Sequence, residues 1–350
     1  MNITIPPLVS PLARYRDIIA SLCAGQASPE DHLWMRFAAH AAVLCPETSD
    51  QLAWRIRHIA EILHKRTSWF AHLSPSARFL VAALLIQHHV PVGTFHAEHD
   101  RTQDMFRDVG LPHGGFTSTI AVLILHISSS HQPISLLEAE RLKAIYNRMK
   151  SLHWWLTGPG DVPICAALAQ CPGSAEELVG RADQLYRQLH AHDLGTGSSL
   201  HTVAHLLLVT GLPPDSAITR LRSLARCLSD RQGVLHDGDL QALVVLTMLD
   251  HPTTMTITRL IGVRGELDLL QPQYRGMANL MIAADLAFLD LIRSVEDAPD
   301  APNARQAQEM LSRIHAFHIT TAVLATQVDA HRLMQPTADA SGGWPVPYGW

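Results

Sequence analysis

Hydrophobic residues recur along this chain in two alternating patterns, and both have the period of an α-helix. In one kind of segment nearly every position is apolar, and an alanine stands near the centre. In the segments between them, apolar residues recur at three- and four-residue steps, as in 142–149, 178–189 and 218–228. Such steps are typical of a helix with one buried face. Alternating strand patterns bounded by hairpin turns are scarce. The chain is therefore predicted to be all-α.

The apolar segments recur at a regular interval along the chain. Successive central alanines are 38 to 45 residues apart. They are Ala38, Ala82, Ala121, Ala166, Ala204, Ala242 and Ala283. A helix that is apolar all round needs cover on several sides, which stacked helix pairs provide. We therefore predict repeated helix pairs of about 40 residues, stacked as an open α-solenoid or closed as an α/α toroid.

Capping residues mark several helix starts. Ser28-Pro29, Ser74-Pro75 and Asp215 have the character of N-caps, because their side chains can accept a hydrogen bond from the first helical turn. Ser135 to Glu138 and Ser174 to Glu177 have the form of capping boxes, in which Ser and Glu each satisfy one backbone N–H.

The pattern divides the chain into an N-terminal segment, a helical-repeat domain, one or two C-terminal helices and a tail. Their predicted bounds are 1–20, 21–294 with a subdivision near 152–160, 303–334 and 335–350. A turn-rich linker at Val295 to Pro302 precedes the C-terminal helices. The tail is rich in Pro, Gly and Trp and is predicted to be irregular.

Composition and charge exclude several classes of function. A hydrophobic content of 47% is enough for a sizeable core. The formal net charge of −5 argues against a nucleic-acid or membrane-surface partner, since both require a basic face. No apolar run approaches the roughly 18 residues that cross a bilayer, and Met1 to Ser10 lacks the signal-peptide pattern. The five cysteines are odd in number and widely spaced. We therefore expect reduced thiols in a cytoplasmic protein.

The most unusual passage runs from His153 to Pro163. Two adjacent tryptophans precede a Gly-Pro-Gly turn, and Asp161 is placed to cap the next helix. In one interpretation His153, Trp154, Trp155 and Asp161 form a ligand-binding platform. The interpretation that we favour is a buried aromatic plug between two halves of the array, because buried tryptophan usually supplies packing area.

This passage also carries a family resemblance. The segment His-Trp-Trp-Leu-Thr-Gly-Pro-Gly-Asp at 153–161, the alanine-rich stretch Ile164 to Ala169 and the helix containing Leu185-Tyr186 resemble a bacterial family known as "domain of unknown function 4003". The resemblance is specific over 153–189 and extends in pattern and length over about 20–330. It implies a helical fold and a bacterial cytoplasmic protein, and it implies no activity or catalytic residues.

Histidine is the second unusual feature, with 22 residues in 350. His201 and His205 stand one helical turn apart and could share a metal ion, with His192 from a nearby loop as a further ligand. The glutamate of the His-Glu-x-x-His pattern is absent. Lysine is scarce, so a preference for His at polar positions explains the count without a ligand. We predict no cofactor and keep a divalent transition metal as the alternative.

Adjacent His-Asp pairs are a further candidate for metal ligands. They occur at His99-Asp100, His192-Asp193 and His236-Asp237. All-helical phosphohydrolases place such a pair within a helix, whereas each pair here is predicted to lie in a turn. The chain also lacks a phosphate-binding Gly-rich loop and a Gly-x-Ser-x-Gly elbow. The case for an enzyme is therefore weaker than the case for a binding protein.

From the sequence we expect a non-catalytic helical-repeat protein that binds a protein or peptide partner, because stacked helix pairs present a groove. The polar turns at His88 to His99, Gly195 to Ser199 and His236 to Asp239 are predicted to line its rim. The alternative is a metal-dependent enzyme based on His201 and His205. The oligomeric state is left open.

Overall fold

The computed structural model describes residues 10–24, 29–65, 76–129, 131–236, 238–270, 277–296 and 319–324. Within these ranges the regular structure is helical and no β-strand occurs, so the all-α prediction is confirmed. The α-helices are α1 Pro11–Cys23, α2 Pro29–Ala41, α3 Ser49–Lys65, α4 Arg78–Gln87, α5 Val92–Val109, α6 Gly115–Ser128, α7 Leu136–Leu152, α8 Val162–Ala169, α9 Ala175–Ala191, α10 Gly197–Val209, α11 Pro214–Gln232, α12 Asp239–Leu243, α13 Thr253–Leu270 and α14 Met277–Glu296. Two short 3₁₀ turns, Pro159–Asp161 and Val245–Met248, precede α8 and follow α12. Residues 319–324 are also helical.

The alanine-centred segments lie in the seven even-numbered helices, from α2 to α14. All seven central alanines are buried, as are their immediate neighbours in the chain. The odd-numbered helices bury one face only. On α9, for example, Leu178, Leu185 and Leu189 are buried, whereas Glu176 and Arg187 are exposed. The two sequence patterns therefore correspond to two kinds of helix.

Helix contacts follow the order of the chain. Each odd-numbered helix contacts the even-numbered helix that follows it, from α1 with α2 to α13 with α14. The even-numbered helices also contact one another in two series, α2 with α4 and α6 through α8, α10 and α12 to α14. Helix α14 contacts both α1 and α2. The first and last described helices of this array therefore meet.

Polar side chains join α2 to α14 inside the core. The Arg36 guanidinium bonds the side chain of Asn279 and donates to Tyr15 Oη at 3.3 Å. His40 Nε2 lies 3.1 Å from Asp285 Oδ2. Burial lowers the pKa of His40 to about 3 and raises the pKa of Asp285 well above its ordinary value. Burial therefore favours the neutral forms of both groups.

The helical segment 319–324 is buried against the even-numbered helices. Ile319 lines a small cavity together with Leu84 of α4 and Leu123 of α6. Thr321 Oγ1 donates a hydrogen bond to Asp285 Oδ2 of α14 at 3.0 Å. This segment is the described part of the predicted C-terminal helices at 303–334; the tail at 335–350 lies outside the described residues.

The two predicted capping boxes are confirmed. Ser135 Oγ accepts the Glu138 N–H at 3.2 Å, and the Ser135 N–H donates to the Glu138 carboxylate at 2.7 Å. Ser174 and Glu177 bond in the same way. Asp215 is not the N-cap of α11, because Pro214 occupies the first helical position and Asp215 follows within the first turn. The predicted caps Ser28 and Ser74 lie outside the described residues.

Helix bounds bear on the predicted division of the chain. Helix α1 runs across the expected boundary between 1–20 and 21–294, and α14 ends at Glu296. Helices α7 and α8 flank the subdivision near 152–160 and contact each other.

All five cysteines are free thiols. Cys45 and Cys165 are buried, and burial raises the pKa of Cys45 to about 12. Among the described helices, none by itself is long and apolar enough to cross a membrane. Helices α4 and α5 reach that length only as a pair, which is bent by 114°.

Candidate functional site

The turn after α7 exposes two tryptophans. The His153 N–H donates to the Met149 carbonyl at 2.9 Å, and the Leu156 N–H donates back to the His153 carbonyl at 2.9 Å. This tight turn leaves Trp154 70% exposed and Trp155 63% exposed. Their rings meet edge to face, with centroids 5.9 Å apart. The favoured prediction of a buried aromatic plug is therefore wrong: His153 takes the inward position, and the two side chains that follow it project from the surface.

Asp161 stabilises the same turn from within. Its carboxylate accepts the Gly158 N–H at 2.8 Å, and its side chain forms no capping hydrogen bond to α8. The expectation that it caps the next helix is therefore wrong, because the Gly-Pro-Gly turn brings the Gly158 N–H to it instead. Burial raises the pKa of Asp161 to about 6, and the Gly158 N–H opposes this shift. Asp161 was predicted to be a ligand-binding residue. In the structure its carboxylate stabilises the Gly-Pro-Gly turn.

His153 is fixed by a carboxylate from α9. His153 Nε2 lies 3.0 Å from Asp183 Oδ1, and Arg187 bonds the other carboxylate oxygen. The His153 ring also contacts Trp155 and Tyr186, with centroid distances of 5.9 and 5.7 Å. His153 therefore attaches the turn that carries the exposed tryptophans to α9 of the next helix pair.

The two histidines of α10 lie on the buried side of His153. His201 and His205 are each 2% exposed, and their ring centroids are 4.3 Å apart. His201 is also 5.4 Å from the His153 ring. His205 Nδ1 donates to the His201 carbonyl at 2.7 Å, whereas the Nε2 atoms of both rings have no hydrogen-bond partner among the described residues. Burial lowers their pKa values to about 2 and about 4. Both rings are therefore neutral at pH 7.

The predicted metal ligands are brought together only in part. His201 and His205 are adjacent, but His192 caps the C-terminal end of α9, is exposed and lines a separate cavity. In the described part of the chain, no group of three or more His, Cys, Asp or Glu side chains is arranged to hold a metal ion. His153 stands beside the pair where His192 was expected.

An aromatic strip runs from the tryptophans toward the next loop. We define it as Trp154, Trp155, His153, Tyr186 and His190. Tyr186 and His190 stack with their centroids 6.4 Å apart. His190 Nδ1 donates to the Gly195 carbonyl at 3.1 Å. The strip therefore reaches the loop between α9 and α10.

Two adjoining cavities lie beyond this loop. The smaller, of about 340 Å³, is lined by the α9–α10 and α11–α12 loops. The larger, of about 520 Å³, lies between the end of α9 and helix α11. They share Leu194, Ser229 and Leu235. The smaller cavity contains residues from two predicted rim turns, Gly195 to Ser199 and His236 to Asp239.

Of the third predicted rim turn, His88 to His99, only residues 88–91 lie in a turn, and the rest belongs to a helix. Helix α5 begins at Val92, after Pro91 in an extended conformation, and buries Phe95, His99 and Phe106. The pair His99-Asp100 therefore lies within a helix, contrary to expectation. His99 Nε2 is 3.0 Å from Thr119 Oγ1. Phe95, His99 and Phe106 lie on one helical face at positions i, i+4 and i+11. The two phenylalanines on this face were the sequence signal for this helix.

The pair His192-Asp193 follows α9 in a turn, as predicted. Asp237, of the third His-Asp pair, lies outside the described residues.

Asp183 and its contact with His153 were not predicted from the sequence. Asp183 stands four residues after Val179, at a position where the buried face of α9 continues. A carboxylate on an apolar helix face needs a hydrogen-bond or ion-pair partner. The place of Asp183 on that face was therefore the signal in the sequence for such a contact.

A family model described as "Protein of unknown function (DUF4003)" matches residues 34–312. The chain is also similar to "Uncharacterized protein YeaA" of Bacillus subtilis (strain 168), with 25% identity over 206 residues. The alignment covers 58% of this chain and 62% of that relative, so the chain spans less than two thirds of the relative's length. No solved structure matches the chain.

Proposed function

The chain belongs to the DUF4003 family of proteins of unknown function, and we propose that it binds a protein or peptide partner along the aromatic strip. The exposure of two adjacent tryptophans, Trp154 and Trp155, carries this proposal. Exposed apolar surface is unfavourable in water, and a partner that covers it gains that free energy. Tryptophan is also enriched among the residues that contribute most to protein–protein binding.

Several hydrogen bonds hold the turn that carries the two tryptophans. Backbone hydrogen bonds hold the turn at His153, and Asp161 and Asp183 fix it from two sides. A surface that is already ordered loses little conformational entropy on binding, so more of the contact energy appears as affinity. These hydrogen bonds support a binding role for the tryptophans.

Neighbouring helix connections support an extended binding surface. The aromatic strip links the α7–α8 connection to the α9–α10 connection, and the α9–α10 and α11–α12 connections line the smaller cavity. A partner lying across these connections would contact three neighbouring helix pairs. We further propose that the pairs repeat and close into an α/α toroid, supported by the contacts of α14 with α1 and α2.

Affinity capture with three forms of the protein tests the partner proposal. The forms are wild type, Trp154→Ala/Trp155→Ala, and the control Trp54→Ala, whose ring on α3 is also 63% exposed. We expect wild type and Trp54→Ala to capture the same proteins from a lysate of the source cells. The double variant should retain less than about a tenth of them, since losing one anchoring tryptophan typically costs about 2 kcal/mol or more. Equal capture by all three folded forms would refute the proposal.

A metal-dependent enzyme is the second candidate, and the histidine pair is the observation that favours it. His205 donates from Nδ1 to a backbone carbonyl, which is the arrangement that orients a metal-binding imidazole. Untagged protein would be analysed for zinc, manganese and iron. Stoichiometric metal that is lost in His201→Ala would support this candidate, and metal-free wild type would count against it.

The origin and location of the protein are also proposals. Its relative in Bacillus subtilis supports a bacterial origin, and its free thiols fit a reducing compartment such as the cytoplasm. Fractionation of the source cells, with detection of the untagged protein, tests the location.

A further inference from the structure

The larger cavity beside the aromatic strip is lined by two arginines and a histidine. Its volume of about 520 Å³ falls within the roughly 300–1,000 Å³ of small-molecule binding pockets. Arg222 and Arg226 of α11 and His192 at the end of α9 all line it. Two separate elements therefore direct cationic or proton-accepting side chains toward one space.

The two arginines lack partners within the described part of the chain. Arg222 and Arg226 are one helical turn apart and exposed, and no described side chain forms an ion pair with either of them. Like charges at this spacing repel each other, which destabilises the helix slightly. By contrast, Arg107 and Arg148 on other helices each pair with a carboxylate. An external anion would relieve the repulsion between Arg222 and Arg226.

The rest of the lining suits an anionic ligand that has an apolar stem. Thr219, Ser223 and Ser229 line the cavity, and Leu194 and Leu235 supply apolar surface. Among the described residues, the lining of this larger cavity contains no Asp or Glu. Asp193 lines the adjoining smaller cavity, and Asp230 stands one helical turn after Arg226 on α11. No carboxylate of the described lining therefore offsets the charge of the two arginines.

We propose that this cavity receives acidic side chains of the partner that the aromatic strip binds, an inference that rests on the proposed function. A guanidinium group matches a carboxylate with two parallel hydrogen bonds. The Thr219 hydroxyl can donate to a remaining carboxylate oxygen, whereas the Ser223 hydroxyl donates to the Thr219 carbonyl at 2.9 Å. The bound segment of the partner thus has apolar residues that contact Trp154 and Trp155, and acidic residues that contact Arg222 and Arg226 of α11.

Fluorescence anisotropy with a labelled hexaglutamate peptide tests the inference. We expect wild type to bind this peptide, with an affinity that falls as salt is added, and not to bind hexalysine. Arg222→Gln/Arg226→Gln should weaken binding by about tenfold or more, because hydrogen bonds to charged groups are lost. The control Arg16→Gln/Arg231→Gln removes the same charge from exposed sites outside the cavity and should bind like wild type. Inorganic phosphate should compete at least about tenfold more weakly than unlabelled peptide.

Several outcomes would overturn the inference. They are failure of wild type to bind hexaglutamate, equal weakening by both arginine pairs, and competition by phosphate as strong as by peptide. The capture experiment separates this inference from the proposed function. Tryptophan-dependent capture without hexaglutamate binding overturns the arginine-lined cavity as a site for acidic side chains, and it leaves the aromatic strip as the partner surface. Arginine-dependent hexaglutamate binding with tryptophan-independent capture supports the arginine-lined cavity as a site for acidic side chains and overturns the strip as the partner surface.

Discussion

His153 Nε2 lies 3.0 Å from Asp183 Oδ1, and this contact joins the tryptophan-bearing turn to α9. The two residues are thirty positions apart in the chain and belong to different helix pairs. Asp183 is nearly buried and also bonds Arg187. A carboxylate of the next helix pair therefore helps to hold the turn that carries the tryptophans, together with Asp161.

Replacing Asp183 by Ala should destabilise the protein. The change leaves His153 without its acceptor at a mostly buried site, and an unsatisfied group of this kind costs about 1–3 kcal/mol. Urea denaturation followed by circular dichroism measures the loss in unfolding free energy. Asp230→Ala, at an exposed position of α11, serves as the control and should change stability by less than about 0.5 kcal/mol. Equal losses in the two variants would contradict this role of Asp183.

Replacing Asp161 by asparagine should change how stability depends on pH. Burial raises the pKa of Asp161 to about 6 from its ordinary value of 3.8. Between these two values the folded state binds more protons than the unfolded state, so this group's contribution to stability falls as pH rises. The asparagine side chain cannot ionise. The variant should therefore gain about 2–3 kcal/mol relative to wild type between about pH 4 and pH 7. Unfolding curves at both pH values give this difference, and a pH-independent difference would show that Asp161 titrates normally.

Replacing His205 by glutamine should reduce sensitivity to acid. Burial lowers the pKa of His205 to about 4 from 6.5. As pH falls below 6.5 the unfolded state takes up a proton that the folded state does not, so stability is lost down to about pH 4. Between about pH 7 and pH 5 this loss should be about 1–2 kcal/mol smaller in the variant. Exposed His58→Gln on α3 is the control and should leave the acid-dependent loss unchanged. The same loss in His205→Gln would mean that His205 is protonated in the folded state.

Two classes of tryptophan should respond differently to truncation. Trp34 is fully buried, and its ring meets Phe116 at 5.0 Å, so Trp34→Ala should cost about 3–5 kcal/mol. The double change at Trp154 and Trp155 removes exposed rings and should cost less than about 1 kcal/mol. Thermal and urea unfolding measure both effects. A large loss in the double variant would indicate that these rings pack against the protein in solution.

The helices were predictable because their signals are local. Apolar residues at Ala38, Ala82 and the other alanine centres need no distant partner to mark a buried helix. The capping boxes at Ser135 and Ser174 are likewise encoded within four residues. In both cases the residues that decide the structure are close together in the sequence.

The candidate site was harder to predict because its contacts are not local. Whether Trp154 and Trp155 point inward depends on which residue of the turn takes the inner position, and His153 takes it in contact with Asp183, thirty positions away. His153 also stands beside His201, whereas His192 lies at the C-terminal end of α9. Helix α5 was missed because the histidines between His88 and His99 look like turn residues, although Phe95 and Phe106 supply a buried face.

The central claim is that Trp154 and Trp155 are the anchors of a partner-binding surface. The most direct test is isothermal titration calorimetry with wild type, Trp154→Ala/Trp155→Ala and Trp54→Ala. The titrant is a purified protein that wild type recovers in the capture experiment. We predict the same dissociation constant for wild type and Trp54→Ala, and one at least about thirtyfold larger for the double variant. A dissociation constant for the double variant equal to that of wild type, with the fold intact, would contradict the claim.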